Sequence, residues 1–383
     1  MAKLRVLEVS KSTGGLGTYM RWLALGLDPE RFAPTFACLS DNGRELSEEL
    51  ARIPGVTAIH WPMNRFKINL ASDAALIYRI RRLLRLERYD IVHGHGSKAG
   101  FIVRAAAMGT STQVAYSPHG FAFHERQGVA LNWLYTTVER FAALRLTSRI
   151  ITVSDGEQAE ARWYRIGSKA KFVTVHSGIE PEHFGHPVDR AALRASLGIP
   201  EDAFLIGMVG RLNEQKAPLD FVRVAANVRA KHTQAHFIWV GDGVLEPAAK
   251  TLARGLGVSG EVTFAGQRND VPQLLSAMDA VLLTSHWEAL PIVILEAMAT
   301  RLPVVATDLP GISEAVADGG EGLLAPAGNV GALSAALQRL ILEPALAIRL
   351  GTAGRARVER EFTREMMMRS LMRVYDQMMQ VGR

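Results

Sequence analysis

The strongest constraint on this chain is a rhythm of short β-branched runs and longer amphipathic stretches that runs through once, stops, and begins again. In the first pass strands are expected at 4–9, 35–39, 91–93, 113–117, 150–153 and 172–175, with helical patterns at about 17–27, 73–88, 98–107, 129–147 and 155–164. In the second pass strands are expected at 204–209, 236–240, 262–265, 280–283 and 304–306, again with helices between. Strand, crossover helix, strand is the pattern of a parallel sheet wound on both faces. The interruption lies near 178–200, where Gly178, Pro181, Gly185, Pro187 and Pro200 cluster among polar residues. The expected fold is therefore α/β, with two Rossmann-like doubly wound domains at 1–182 and 183–361 and a helical tail at 362–383. A length of 383 residues suits two cores. Lobes of this kind bind ligands beyond the carboxyl ends of their strands, so the sites are expected in a cleft where the lobes face each other. The tail carries Met366, Met367, Met368, Met372, Met378 and Met379, a pattern of adaptable packing and not of a cofactor box.

Composition narrows the classes. With 48% hydrophobic and 21% charged residues the chain is of the globular kind. Its one cysteine, Cys38, stands among Phe36, Ala37 and Leu39; it has no partner for an internal disulfide and reads as a buried thiol of a reducing compartment. No signal-peptide pattern and no run of about 18 apolar residues occurs, so a cytoplasmic protein is expected, one that meets a membrane only from its surface. Charge is uneven: residues 1–180 carry 24 Lys and Arg against 16 Asp and Glu, and the remainder 20 against 22. That asymmetry suggests an anionic partner for the first half. Nucleic acid would suit the charge, but no zinc-finger, RRM, KH or helix-turn-helix signature accompanies it.

Several segments carry chemistry. Lys11-Ser12-Thr13-Gly14-Gly15-Leu16-Gly17 follows the first strand and opens a helix. Glycines there let backbone N–H groups approach an anion; the alternative is a tight strand-to-helix turn. Gly15 and Gly17 match two glycines of the dinucleotide fingerprint, but the third would fall at Met20. In the second half Gly210-Arg211-Leu212-Asn213-Glu214-Gln215-Lys216 follows a buried strand. Arg211 and Lys216 thus stand at its carboxyl end, either as a clamp for a diphosphate or as solvated loop charges. Gly241-Asp242-Gly243 ends the next strand. Then Ser285-His286-Trp287-Glu288-Ala289-Leu290-Pro291 leads into a helix with Pro291 near its first turn. This puts Glu288 in the loop and Glu296 in the second turn among Ile294, Leu295, Ala297 and Met298. A carboxylate in such surroundings is expensive to bury without a partner, and the two glutamates can address different hydroxyl groups of one elongated ligand.

In this order and spacing, the Glu288-to-Glu296 segment, Gly210-Arg211-Leu212 with Lys216, Gly241-Asp242-Gly243, Val153-Ser154 and His176-Ser177-Gly178-Ile179 resemble family 4 of the retaining GT-B glycosyltransferases. The similarity runs from Gly14 to about Gly322. It implies a nucleotide-sugar donor held mainly by the second domain, with Glu296 on the ribose hydroxyls, Arg211 and Lys216 on the diphosphate, Glu288 on the transferred sugar, and Gly241, Leu290 and Pro291 lining the site. Gly15 and Gly17 would face the phosphates from the first domain. His119, in Ser117-Pro118-His119-Gly120-Phe121, matches the family histidine near the reaction centre; the alternative is a satisfied structural histidine. The final helix would cross back onto the first domain. Many relatives have glycine after the first glutamate, where this chain has Ala289, which weakens any inference about which sugar is used.

The resemblance implies a retaining transfer, with UDP-sugar ahead of GDP-sugar as donor, to a lipid-linked or cell-surface glycan in exopolysaccharide, capsule or lipopolysaccharide assembly. No cofactor is expected. No Asp-x-Asp motif occurs, so the leaving diphosphate is expected to be met by Arg211, Lys216 and helix N–H groups without a metal. His93 and His95 are expected to lie at a strand end and in the turn after it, and nothing nearby completes a metal-ligand set. Residues 74–88, with Arg65 and Lys67 before them, form a basic amphipathic pattern. It suits either anionic headgroups at the inner face of a bacterial plasma membrane or an ordinary solvated face. Two rival readings stay open: a GT-B-shaped epimerase that hydrolyses its donor, and a non-catalytic sugar-nucleotide-binding subunit.

Overall fold

A computed structural model describes residues 3–11, 14–40, 44–63, 69–123 and 128–381. Ser12 and Thr13 of the glycine-rich loop, and Arg65 and Lys67 of the basic segment, lie outside the described residues. The chain divides into two units, one running to His176 and resumed from Arg364, the other Ser177–Thr363.

The first unit holds β1 (Leu4–Lys11), β2 (Phe32–Leu39), β3 (Thr57–Trp61), β4 (Ile91–His95), β5 (Gln113–Ser117), β6 (Arg149–Thr152) and β7 (Phe172–Thr174) in the order β3-β2-β1-β4-β5-β6-β7. The second holds β8 (Phe204–Val209), β9 (Ala235–Val240), β10 (Val262–Gly266), β11 (Ala280–Leu283), β12 (Val304–Thr307) and β13 (Gly322–Ala325) in the order β10-β9-β8-β11-β12-β13. Pairings in both sheets are parallel. Each sheet reverses its winding once, between β1 and β4 and between β8 and β11, and such a switch point leaves a crevice at the strands' carboxyl ends. The central strands are apolar because both faces are covered: Val6, Leu7, Val9, Ile206, Met208, Val281 and Leu282 are buried.

The structure adds elements that the periodicity does not show. β3 is largely half-buried, so it has no continuous apolar run, and β13, Gly-Leu-Leu-Ala, has no β-branched residue. β4 continues two residues past the expected end at His93. Gly94 permits this by lying against the next helix, where a Cβ would stand 2.8 Å from Gly100 Cα.

The boundary between units also falls earlier than 182. Ile179 donates to the Phe362 carbonyl at 2.9 Å and bridges to Thr363, so the two chain passages pair with each other in the second unit. The helix Arg364–Val381 then belongs to the first unit and packs against the helix Gly15–Gly26. It buries Met367, Met368, Leu371, Val374, Tyr375 and Met378, each worth about 1.5–3 kcal/mol on the usual area scale. Asp376 adds an ion pair to Arg31 at 2.6 Å.

The helix Val129–Arg145 is tied in by polar contacts. Its last carbonyls, Ala143, Leu144 and Thr147 just beyond, all accept from Lys171 Nζ at 2.7–2.9 Å. Glu139 meets the buried Arg104 of the helix Ser97–Ala107 in a two-pronged pair at 2.5 and 2.9 Å, and the guanidinium lies 4.0 Å over the Tyr116 ring. Glu139→Ala leaves that guanidinium buried without countercharge, and we expect a loss of about 3–5 kcal/mol in urea unfolding. The double variant Arg104→Met, Glu139→Leu should recover most of it.

Candidate active site

In the first unit the carboxyl ends of β1, β4 and β5 converge on His119. The residue is left-handed, with φ of 51°, and half-buried; strain of this kind in a non-glycine collects at functional positions. Buried Glu157 holds the turn, accepting from the Gly120 N–H at 2.5 Å and the Val153 N–H at 2.8 Å. Tyr19, from the helix that starts at Gly15, packs its ring 4.8 Å from His119 and 5.4 Å from His95. The glycine segment and His119 thus come together. Gly15 is exposed at the helix start, where first-turn N–H groups lack intrahelical acceptors. Gly17 is buried with its N–H committed to the Gly14 carbonyl at 2.8 Å, so it serves the turn.

Behind His119 runs a chain of buried polar groups. His119 Nε2 lies 3.0 Å from His95 Nδ1, and His95 Nε2 lies 2.8 Å from Glu8 Oε2. Tyr375 of the last helix donates to Glu8 Oε1 at 2.6 Å and lies 2.7 Å from His93 Nδ1, whose Nε2 meets Ser117 Oγ at 2.8 Å. Burial holds the pKa of both His93 and His119 well below the ordinary imidazole value, so both are neutral at pH 7. The expectation that nothing joins His93 and His95 is corrected: β1 brings Glu8 between them, close enough for a three-ligand cation set. Within that set His95 and Glu8 bond to each other at 2.8 Å, and Tyr375 holds Glu8 Oε1 at 2.6 Å and His93 Nδ1 at 2.7 Å.

In the second unit the switch point between β8 and β11 gathers Lys216 and Glu288. Lys216 Nζ pairs with Glu288 Oε1 at 2.5 Å, and Ser285 donates to the same oxygen at 2.7 Å. The two loops are sewn together by the His286 N–H to the Gln215 carbonyl at 2.8 Å and by Thr284 Oγ1 to the Lys216 carbonyl at 2.9 Å. Gln215 adds a side-chain bond to the Trp287 carbonyl at 3.1 Å. Ala217, left-handed with φ of 49°, turns the chain sharply into the helix Pro218–Arg229. Arg211 is exposed; its carbonyl accepts from the Asn213 N–H at 2.9 Å, and no group pairs with its guanidinium among the described residues. Gly241, with φ of 132°, is required by close packing, since a Cβ there would strike the Gly210 carbonyl, and its N–H goes to Gly266 at 2.7 Å.

Leu290 is buried and Pro291 caps the helix Ile292–Ala299, leaving the first N–H groups of that helix without intrahelical acceptors. Glu296, in its second turn, is half-buried, and no group pairs with its carboxyl among the described residues. Loss of hydration pushes its pKa up to about 7. A lone carboxyl held in apolar surroundings is what a ligand with hydroxyl groups would satisfy.

Comparison with known proteins decides the family. Residues 14–178 match the glycosyl transferase 4-like domain and residues 189–357 match the glycosyl transferases group 1 family. An Escherichia coli UDP-Gal:α-D-GlcNAc-diphosphoundecaprenol α-1,3-galactosyltransferase is 31% identical over 278 residues, covering 71% of this chain and 72% of the relative. The chain belongs to the group 1 glycosyltransferases. Among solved structures the fold matches sucrose-phosphate synthase from Thermosynechococcus elongatus with a TM-score of 0.85 at 20% identity over 99% and 100% of the chains. It matches Anabaena HepE in complex with UDP-glucose with a TM-score of 0.84 at 22% identity over 98% and 100%. Both likenesses establish the GT-B fold for this glycosyltransferase.

Glu8, His95, Glu157 and Tyr375 were missed as site residues. Glu8 is an acidic residue between the buried Leu7 and Val9 of β1, a signal that the sequence carries. Tyr375 offered none, being 367 residues from the carboxylate it holds.

The Glu296 carboxyl ordinarily titrates near 4.5 and does so near 7 in the folded glycosyltransferase. Between those values the folded chain binds more protons than the unfolded one, so this group lowers stability as pH rises through the window. Glu296→Gln removes the penalty. Its melting temperature should match the wild type at pH 4.5 and exceed it at pH 8.

Proposed function

We propose that this enzyme is a retaining, metal-independent hexosyl- or N-acetylhexosaminyltransferase that moves sugar from a UDP-sugar, with GDP-sugar the next choice, to a glycan on a polyprenyl diphosphate. The observation that carries the reading is the Lys216–Glu288 pair at the switch point of the second sheet, with Arg211 on the loop after β8 and the unpaired Glu296 on the helix that follows Glu288. Arg211 and the helix N–H groups after Pro291 would meet the diphosphate. Glu296 would accept from the ribose hydroxyls, and Glu288 from the sugar. Lys216 already pairs with Glu288, and donor binding would divide it between Glu288 and phosphate. In the transfer the bond from the anomeric carbon to phosphate breaks as the acceptor oxygen bonds on the same face. The departing phosphate takes the acceptor's proton.

The name of the Escherichia coli relative, a galactosyltransferase acting on a diphosphoundecaprenol-linked GlcNAc, supports this donor and acceptor class. Two surfaces of the first unit support work at the inner face of a membrane. On the helix Leu70–Glu87, Arg79, Arg82 and Arg85 are exposed beside Tyr78 and Leu86, with Arg88 following. Arg81 departs from the expected basic face, donating instead to the Ala105 and Ala106 carbonyls. The helix Val129–Arg145 exposes Val129, Trp133, Leu134, Val138, Phe141 and Leu144. Exposed Arg145, Arg162, Arg165 and Lys169 follow it in the chain, with exposed Trp163 among them. An apolar face with cations around it suits an anionic bilayer. The protein should pellet with phosphatidylglycerol vesicles and not with phosphatidylcholine ones. Phe141→Glu should abolish this, and self-association through the face in place of vesicle binding would overturn it.

The donor site is tested by thermal shift with UDP-, GDP- and ADP-sugars. A ligand at 100 times its Kd adds about 2.7 kcal/mol, and one nucleotide class should stabilise the wild type but not Glu296→Ala. UDP-sugar affinity should rise roughly tenfold from pH 6 to pH 8 as Glu296 ionises, and stay flat in Glu296→Gln. Lys216→Ala should fold normally and lose about 10²–10³ in turnover. Donor breakdown at full rate with no acceptor present would favour the epimerase reading. Donor binding with no turnover on any lipid-linked glycan would favour a binding subunit.

A further inference from the structure

The buried chain behind His119 has a direction. An ionised carboxylate accepts hydrogen bonds and donates none, whereas every other member of the chain can do both. Glu8 therefore sets the sense of the rest. With Glu8 Oε2 accepting, His95 carries a proton on Nε2, and as a neutral ring it presents the lone pair of Nδ1. That lone pair, 3.0 Å from His119 Nε2, accepts the His119 proton there. A neutral His119 protonated on Nε2 has its lone pair on Nδ1, the nitrogen turned away from the chain. The same carboxylate takes the Tyr375 hydroxyl proton on its other oxygen, so the Tyr375 oxygen accepts from His93 Nδ1 and His93 Nε2 accepts from Ser117. The six groups agree on one arrangement, and it has no conflict.

We infer that Glu8 is a positioning residue that acts through His95 to hold His119 as its Nε2–H tautomer, so that Nδ1 is presented as a hydrogen-bond acceptor for a substrate hydroxyl. The inference rests on the placement of His119 at the reaction centre in the reading above. A buried side-chain partner commonly sets which imidazole nitrogen is available, and here the setting passes through a second imidazole. Tyr375 makes the arrangement depend on the last helix, since it occupies the carboxylate oxygen that would otherwise be buried without a donor. A purely structural role would need the hydrogen bonds but not their direction, and this difference is measurable.

The test is the two-bond proton–nitrogen correlation spectrum of protein labelled with 15N-histidine at pH 7.5, the His119 and His95 signals being assigned with His119→Gln and His95→Gln. The wild type should show both rings neutral and protonated on Nε2. A wild-type His119 that is protonated on Nδ1, or either ring cationic, overturns the inference without any kinetic variant. Glu8→Leu removes the acceptor at little change in volume. It should release His119 into mixed tautomers and lower kcat by roughly 10–100-fold, the range for losing a group that orients a working imidazole, while KM for the UDP-sugar stays within about twofold. Wild-type kcat in folded Glu8→Leu overturns the inference, and if that variant does not fold the wild-type spectrum decides alone. Full activity in His119→Ala, with the wild-type tautomer as expected, would instead overturn the reading on which this one rests.

Discussion

A parallel sheet sends the carboxyl end of every strand to one edge, and where its winding reverses the connections leave that edge uncovered. The chemistry of this protein is distributed by that rule. In the first unit the reversal between β1 and β4 collects Glu8, His95 and the start of the helix at Gly15, with His119 beyond β5. In the second, the reversal between β8 and β11 collects Arg211, Lys216 and Glu288, with Glu296 one helix turn deeper. Residues far apart in sequence become neighbours because the strands that carry them are hydrogen-bonded neighbours.

The two units handle a buried carboxylate in opposite ways. Glu8 has no exposed surface, yet its oxygens receive donors from His95 and Tyr375, so the cost of burial is offset within the fold. Glu296 has no such donor among the described residues, and its pKa rises to about 7. A satisfied carboxylate directs a network, whereas an unsatisfied one is a place for a ligand. Glu288 lies between them, ion-paired with Lys216.

The alternation of strands and helices was legible because a parallel strand covered on both faces must be a continuous apolar run, as 204–209 and 280–283 are. Elements without that pressure were not legible. β3 is half-buried, β13 has no β-branched residue, and β4 passes through Gly94 where glycine reads as an end. The proposed donor-site residues Arg211, Lys216, Glu288 and Glu296 were singled out by order and spacing. Their pairing was not, since nothing in a spacing tells which cation a carboxylate takes.

By itself the sequence determined the class of fold, the presence of two cores and the candidate groups of the second unit, because local periodicity and the order of loop residues are properties of the chain alone. Only the tertiary structure decided that Gly17 serves a turn, that Lys216 takes Glu288, and that His93 and His95 share a carboxylate from β1. It also decided that a tyrosine from the last helix completes the wiring behind His119. These are contacts across as many as 367 residues. They exist because strand order, not chain order, sets which side chains meet.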